Sequence, residues 1–152
     1  MRVPTHVTAL VEFAGGQVAT LVFSFDSALV RSGFLEITGT EATMALPDPN
    51  AFHGQPRLRR ATDEDWVPVP VPHRRSSRGM GVVEMAQALR LGRPHRASGE
   101  QALHVLDLML SIADAVETGG FVPVRSTFTL ADPLPAGWDP TVPTLVTGRS
   151  WQ

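Results

Sequence analysis

The hydrophobic pattern of this chain changes period once, from two residues before position 80 to about 3.6 after it. Strands therefore come first and helices later, with no strand-helix-strand alternation to wind a parallel sheet, so the expected class is α+β. In the first part Val7, Ala9, Val11 and Phe13 alternate with His6, Thr8, Leu10 and Glu12, and Gly15-Gly16 can supply the positive-φ pair of a type I′ turn. A second strand is expected from Gln17 to Asp26, with Ala19, Leu21, Phe23 and Phe25 on one face and Val18, Thr20, Val22 and Ser24 on the other. Gly33 to Gly39 and Thr43 to Pro47 pair around Thr40-Glu41-Ala42, so the first fifty residues read as one antiparallel meander. After the turn at Asp48-Pro49-Asn50 and an irregular loop at Phe52 to Pro56, short strands at Arg57 to Ala61 and Trp66 to Val69 flank the acidic turn Asp63-Glu64-Asp65. Prolines at 68, 70 and 72 each remove a ladder donor and mark an edge strand.

Helical spacing begins at Met80. Val82, Met85, Ala86 and Leu89 are the expected buried stripe of a first helix, closed by Gly92 at C′ with Pro94 beyond it. A second helix opens on Ser98 as N-cap, with Gln101 placed to complete a capping box and Glu100 in the first turn to complement the helix dipole. Its expected stripe is Ala102, Val105, Leu106, Met109, Ile112, Ala113 and Val116, widened by Leu103 and Leu110 into a core helix that ends at Gly119-Gly120. Val122 to Arg125 is compatible with a last short strand. Residues 131–152, with Pro133, Pro135, Pro140 and Pro143, read as an extended tail, which leaves 1–130 as the domain proper. The expected architecture is an open, mostly antiparallel sheet with the two main helices on one face. The other face, apolar at Leu10, Val18 and Val22, needs a second cover, and a second copy of the same sheet makes the chain a homo-oligomer.

Composition narrows the chemistry. Thirteen basic residues against fifteen acidic ones give a net charge of −2, so nucleic acid and anionic membrane surfaces are not expected partners. Every basic residue is Arg, and Cys is absent, which excludes Schiff-base lysines, thiol nucleophiles, disulfides and thiolate metal sites. No signal-peptide core opens the chain and no stretch approaches the roughly 18 apolar residues of a membrane span, so a cytoplasmic location is the default.

Four groups of residues are candidates for chemistry. Gly79-Met80-Gly81 precedes a helix, but Glu84 stands where a dinucleotide fingerprint needs its third glycine, and no βαβ unit surrounds it. His104 and Asp107, three apart on a helix, suit either an acid/base pair or a satisfied helix histidine, with no third ligand to complete a metal site. His53 follows Asp48 and Asn50 in a loop of the kind that binds ligands, and an ordered Asx turn explains the latter two equally well. Arg74, Arg75 and Arg78, with Arg93 and Arg96, form the basic concentration. It suits either a phosphate or carboxylate, or salt bridges to Asp63-Glu64-Asp65.

The segments Val-Glu-Phe-Ala-Gly-Gly-Gln-Val-Ala-Thr-Leu (11–21), Phe-Leu-Glu-Ile-Thr-Gly-Thr-Glu-Ala-Thr-Met-Ala-Leu-Pro-Asp-Pro-Asn (34–50) and Gly-Arg-Pro-His-Arg-Ala-Ser-Gly-Glu-Gln-Ala-Leu-His-Val-Leu (92–106), in this order, resemble the C-terminal domain of the Gfo/Idh/MocA oxidoreductases. The resemblance covers about residues 5–130 and implies the C-terminal fold of glyceraldehyde-phosphate dehydrogenase. It also implies a place as the substrate-side, oligomerising domain of an NAD(P)-dependent enzyme acting on a sugar or polyol. The family's dinucleotide glycines, Glu-Lys-Pro motif and catalytic His lie upstream of the matched region, and a chain without Lys holds no catalytic lysine. No catalytic, cofactor or metal residue therefore carries over, and the expectation is a fragment that depends on a separate Rossmann domain, with NAD or NADP bound only by the intact enzyme. Phe52, His53 and Arg78, in loops joining strand ends to helix starts, are the residues that the resemblance implies near the substrate pocket. Two other readings stand beside it: a stand-alone structural or interaction module that dimerises through its open sheet, and a free-standing enzyme using His104 with Asp107.

Overall fold

Ser24 and Asp26 decide where the first hairpin ends. In the computed structural model, which describes residues 4–28, 35–71, 77–135 and 137–141, β1 (His6–Glu12) and β2 (Val18–Ser24) pair antiparallel with Ala9 opposite Leu21. The Asp26 amide then donates to Ser24 Oγ at 3.1 Å, the Phe25 amide donates to the Thr5 carbonyl, and Thr5 Oγ1 donates to the Asp26 carboxylate. These local bonds satisfy the backbone just where a meander would have to continue, so the strand stops. Among the described residues β1 and β2 are a sheet of their own. The expected single sheet is thus corrected to two, both antiparallel, the second with the order β3 (Leu35–Thr38), β4 (Ala42–Leu46), β5 (Arg57–Arg60) and β6 (Val67–Pro68). Gly33 and Phe34, expected at the start of β3, lie outside the described residues.

The β1–β2 turn also differs from expectation. Only Gly16 has a positive φ, of 85°, while the Gly16 amide donates to the Phe13 carbonyl and the Phe13 amide to the Gln17 carbonyl. This is a three-residue loop with Gly16 at the left-handed bulge position, the common alternative to a two-residue type I′ turn. The prolines do mark an edge: β6 ends the four-stranded sheet, held by Leu58 opposite Val67 and by the Val69 amide on the Pro56 carbonyl.

The strands fall in the unit Met1–Pro70 and the helices in the unit Val71–Gln152. α1 (Met80–Leu91) ends at Gly92, whose φ of 64° lets its amide reach back to the Ala88 and Leu89 carbonyls. α2 (Gly99–Thr118) begins as expected, with Ser98 Oγ accepting from the Gln101 amide at 3.1 Å, and ends on Gly119. The reciprocal arm of the capping box is not made, because the Ser98 amide donates to the Arg96 carbonyl. Beyond α2, residues 121–130 run extended without joining a described strand, and Val122, Val124, Ser126 and Phe128 are the half-buried positions of an alternating pattern.

Both helices cover a more polar face than expected, although Met85 and Ile112 of the expected stripes are half-buried. In α1 the buried residues are Glu84, Gln87 and Ala88, whereas Val82 and Leu89 of the expected stripe are 71% and 70% exposed. In α2 Ser111 is buried and Gln101, His104, Asp107 and Leu108 are half-buried, while Leu103, Val105, Leu106, Met109, Leu110 and Val116 are exposed. The segment that follows α2 is held on this polar side: Arg96 donates to the Asp132 and Pro133 carbonyls, Asp107 and His104 bond the backbone of Arg125 and Ser126, and Gln87 accepts from the Trp138 indole.

Candidate functional site

The Glu84 carboxylate is buried between two arginines from the turn after α1. Arg93 Nη1 and Arg96 Nη1 donate to Oε1 at 2.6 and 2.9 Å, and the Arg96 amide donates to Oε2 at 3.1 Å. Burial pushes the Glu84 carboxyl up, but the hydrogen bonds from Arg93 and Arg96 outweigh it and hold the group below the ordinary glutamate range. Arg96 spends its other donors on the Asp132 carbonyl at 2.8 Å and the Pro133 carbonyl at 3.0 Å, and Arg93 Nη1 also reaches the Pro94 carbonyl. Nearby, Trp138 Nε1 donates to Gln87 Oε1 at 2.8 Å. Arg93 and Arg96, proposed from sequence as part of an anion site, are thus engaged by the chain's own carboxylate and carbonyls. Arg74 and Arg75 lie outside the described residues.

His104 and Asp107 are brought together, with Ser126 as their common neighbour. His104 Nδ1 stands 2.9 Å from the Ser126 carbonyl and 3.0 Å from Ser126 Oγ, and Phe128 packs on the imidazole with ring centroids 5.0 Å apart. A carbonyl only accepts, so Nδ1 carries the proton and donates, which prevents that nitrogen from serving as a base toward the serine hydroxyl. Asp107 Oδ2 accepts from the Ser126 and Arg125 amides at 2.8 and 3.0 Å, and chiefly the bond from the Ser126 backbone lowers the Asp107 carboxyl below its ordinary value. An aspartate that orients a catalytic histidine would face the imidazole N–H instead. The arrangement clamps the extended segment to α2. Among the described residues no group of His, Asp or Glu is arranged to hold a metal ion.

Phe52 and His53 follow an Asx turn in which the Asn50 amide donates to Asp48 Oδ1 at 2.8 Å, and both side chains are exposed. Arg78 is exposed just ahead of α1, in the other unit. None of the three lines the depression that the four-stranded sheet carries. That depression, open and of about 510 Å³, lies over the β3–β4 turn and the end of β5, with Glu36, Thr38, Glu41, Thr43, Arg59 and Trp66 among its lining residues. Pairing register explains it. Thr38 sits opposite Thr43 and Thr43 opposite Arg59, so two small residues form a floor between longer side chains on β3 and β5. Thr43 Oγ1 donates to Thr38 Oγ1 at 3.2 Å across that floor, and the Arg57 guanidinium lies 5.7 Å from the centre of the Trp66 ring. Motif reading missed this group because its members are scattered over thirty residues. The signal that finds it is strand pairing, which puts them in adjacent rows of one face.

No protein-family model, curated protein or solved structure matches the chain.

Proposed function

We propose that this chain is a non-catalytic association domain, the substrate-side and oligomerising part of an NAD(P)-dependent oxidoreductase acting on a sugar or polyol. The observation that carries the association reading is the exposure of apolar side chains on β1, β2, α1 and α2: among the described residues only Ala45 and Ala88 are buried hydrophobics. A sheet face with Leu10, Val18 and Val22 open to water, and helices with Leu103, Leu106 and Leu110 open to water, lower their free energy by covering those faces with another protein surface. The first cover is a second copy of the β1–β2 sheet, which presents the same apolar face to its mate. The oxidoreductase assignment rests on the three resembling segments, and NAD or NADP would be held by a separate Rossmann domain. In the described residues Asp107, Glu84, Arg93 and Arg96 are bonded to one another or to the chain's own backbone, which supports the scaffold reading.

Light scattering of the purified chain, with NADH and then NADPH titrated into the same sample, tests this. The expected result is a concentration-dependent dimer that binds neither nucleotide. A monomer at all concentrations removes the association reading. Nucleotide binding by the isolated chain removes the division of labour with a Rossmann domain.

A further inference from the structure

We propose that the exposed face of α2 is a second self-association surface, which takes α2 of another copy of this chain in antiparallel orientation. The inference rests on the association reading above and adds a face to that of the β1–β2 sheet. Six large side chains of this helix, Leu103, Val105, Leu106, Met109, Leu110 and Val116, are between 47% and 70% exposed. With the exposed Ala102 and Ala113 they fall within one half of the helix circumference, and no polar or charged residue interrupts that half from 102 to 116. Covering a Val or Leu removes on the order of 100 Å² of apolar surface, so pairing two copies through the six side chains removes roughly 1,000 Å² in all, the low end for a specific interface.

The occupant follows from the order of residues along this face. Gly99, Ala102, Leu106, Met109, Ala113 and Val116 follow one another at alternating intervals of three and four residues, the spacing of a seam between paired helices. Small residues flank two large ones in either reading direction, so a second copy run antiparallel sets Leu106 against Met109 and Ala102 against Ala113, and the face matches itself. Charge fixes the orientation. α2 has no basic residue in its last turn and carries Glu117 there, at the negative end of its own dipole. A parallel pair brings two such ends together, whereas an antiparallel pair brings each Glu117 to the partner's N-terminal turn, where the dipole is positive. Residues 99–118 include neither Lys nor Arg, so the helix lacks the basic rim of helices that lie on anionic lipid. Two self-matching faces on one chain let sheet-paired dimers join into larger assemblies at high concentration.

The test is sedimentation equilibrium of the full chain carrying Val22→Asp, which closes the sheet face to pairing, at concentrations up to about 1 mM. The expected result is a weak monomer–dimer equilibrium with Kd on the order of 100 μM, as suits an interface of this size. Adding Leu106→Asp buries a charge at the centre of the seam and should weaken pairing at least about tenfold, while Leu89→Asp, on the exposed face of α1, should leave it unchanged. Helical circular dichroism of the dilute variants reports that each is folded. Orientation is read by a spin label on Glu117→Cys, the sole thiol in a chain without cysteine. The two labels of a pair stand about 30 Å apart when the helices run antiparallel and within about 15 Å when they run parallel. The same label in the otherwise wild-type chain should show the long distance growing in with concentration and lost with Leu106→Asp, a readout that does not depend on Val22→Asp. A Val22→Asp chain that stays monomeric to 1 mM while the wild type dimerises overturns the proposal, gives the α2 face to a different protein and keeps the sheet-face reading. A wild type that is monomeric throughout removes both. Pairing that survives Leu106→Asp, or a short label distance, also overturns it.

Discussion

Glu84 shows how much a single side chain can decide in a small helical unit. Its carboxylate is buried with three donors from Arg93 and Arg96, and Arg96 in turn holds the carbonyls of Asp132 and Pro133. Replacing it by Gln keeps the shape but leaves two guanidiniums, each about a third exposed or less, facing a neutral amide. The expected cost is about 2 kcal/mol at neutral pH, below the range for fully buried pairs because the arginines retain some water. Urea unfolding of wild type and Glu84→Gln measures it. The pH dependence has a fixed sign. A carboxyl whose folded pKa lies below its unfolded value stabilises above the unfolded value, and that contribution disappears as pH falls through the folded one. The gap between wild type and Glu84→Gln should therefore be largest near neutrality and shrink below about pH 4. A gap that stays constant with pH would mean that the charge of Glu84 contributes nothing.

At the scale of elements, the ends of the helices were legible and their faces were not. Ser98, Gly92 and Gly119 act within one turn of chain, so their chemistry is local and sequence reveals it. Ser98→Ala should accordingly cost about 1 kcal/mol, seen as a lower urea midpoint with an unchanged slope. The strands β1, β2, β5 and β6 were legible for the same reason, through alternation and turn residues. Which helix face is covered depends instead on what packs there, and here the backbone of the segment after α2 bonds to Asp107 and His104 while Leu103 stays exposed. The depression was illegible too, because a register two strands wide is not written in any local pattern. The clamp at Asp107 gives a check on this account. Asp107→Ala should release the Arg125 and Ser126 amides to fast hydrogen exchange while leaving the middle of α2 protected, since the helix keeps its own backbone bonds. Unchanged protection at those two amides would show that the segment is held by other contacts.

For the whole molecule the deciding quantity is apolar surface left in water. The β1–β2 sheet pairs Thr8 with Val22, Leu10 with Thr20 and Glu12 with Val18, so Leu10, Val18 and Val22 share one face, and Val18 and Val22 are 62% and 56% exposed. Such a face covered by its own copy loses several hundred Å² of apolar area to the interface, at about 25 cal/mol per Å² before the cost of association is met. Val22 lies near the middle of β2 opposite Thr8, with neighbours on both sides to trap a charge away from water. Val22→Asp places a carboxylate there in both copies, and desolvating the pair should weaken association by at least about a hundredfold, close to 3 kcal/mol. The hairpin itself should survive, because the register on the Val7, Ala9 and Val11 face is untouched. Light scattering across a dilution series then separates two cases. Conversion of a dimer to a folded monomer places the interface on this face. A variant that keeps the wild-type mass and solubility places it elsewhere, and the exposed Leu103, Leu106 and Leu110 face of α2 becomes the next surface to charge.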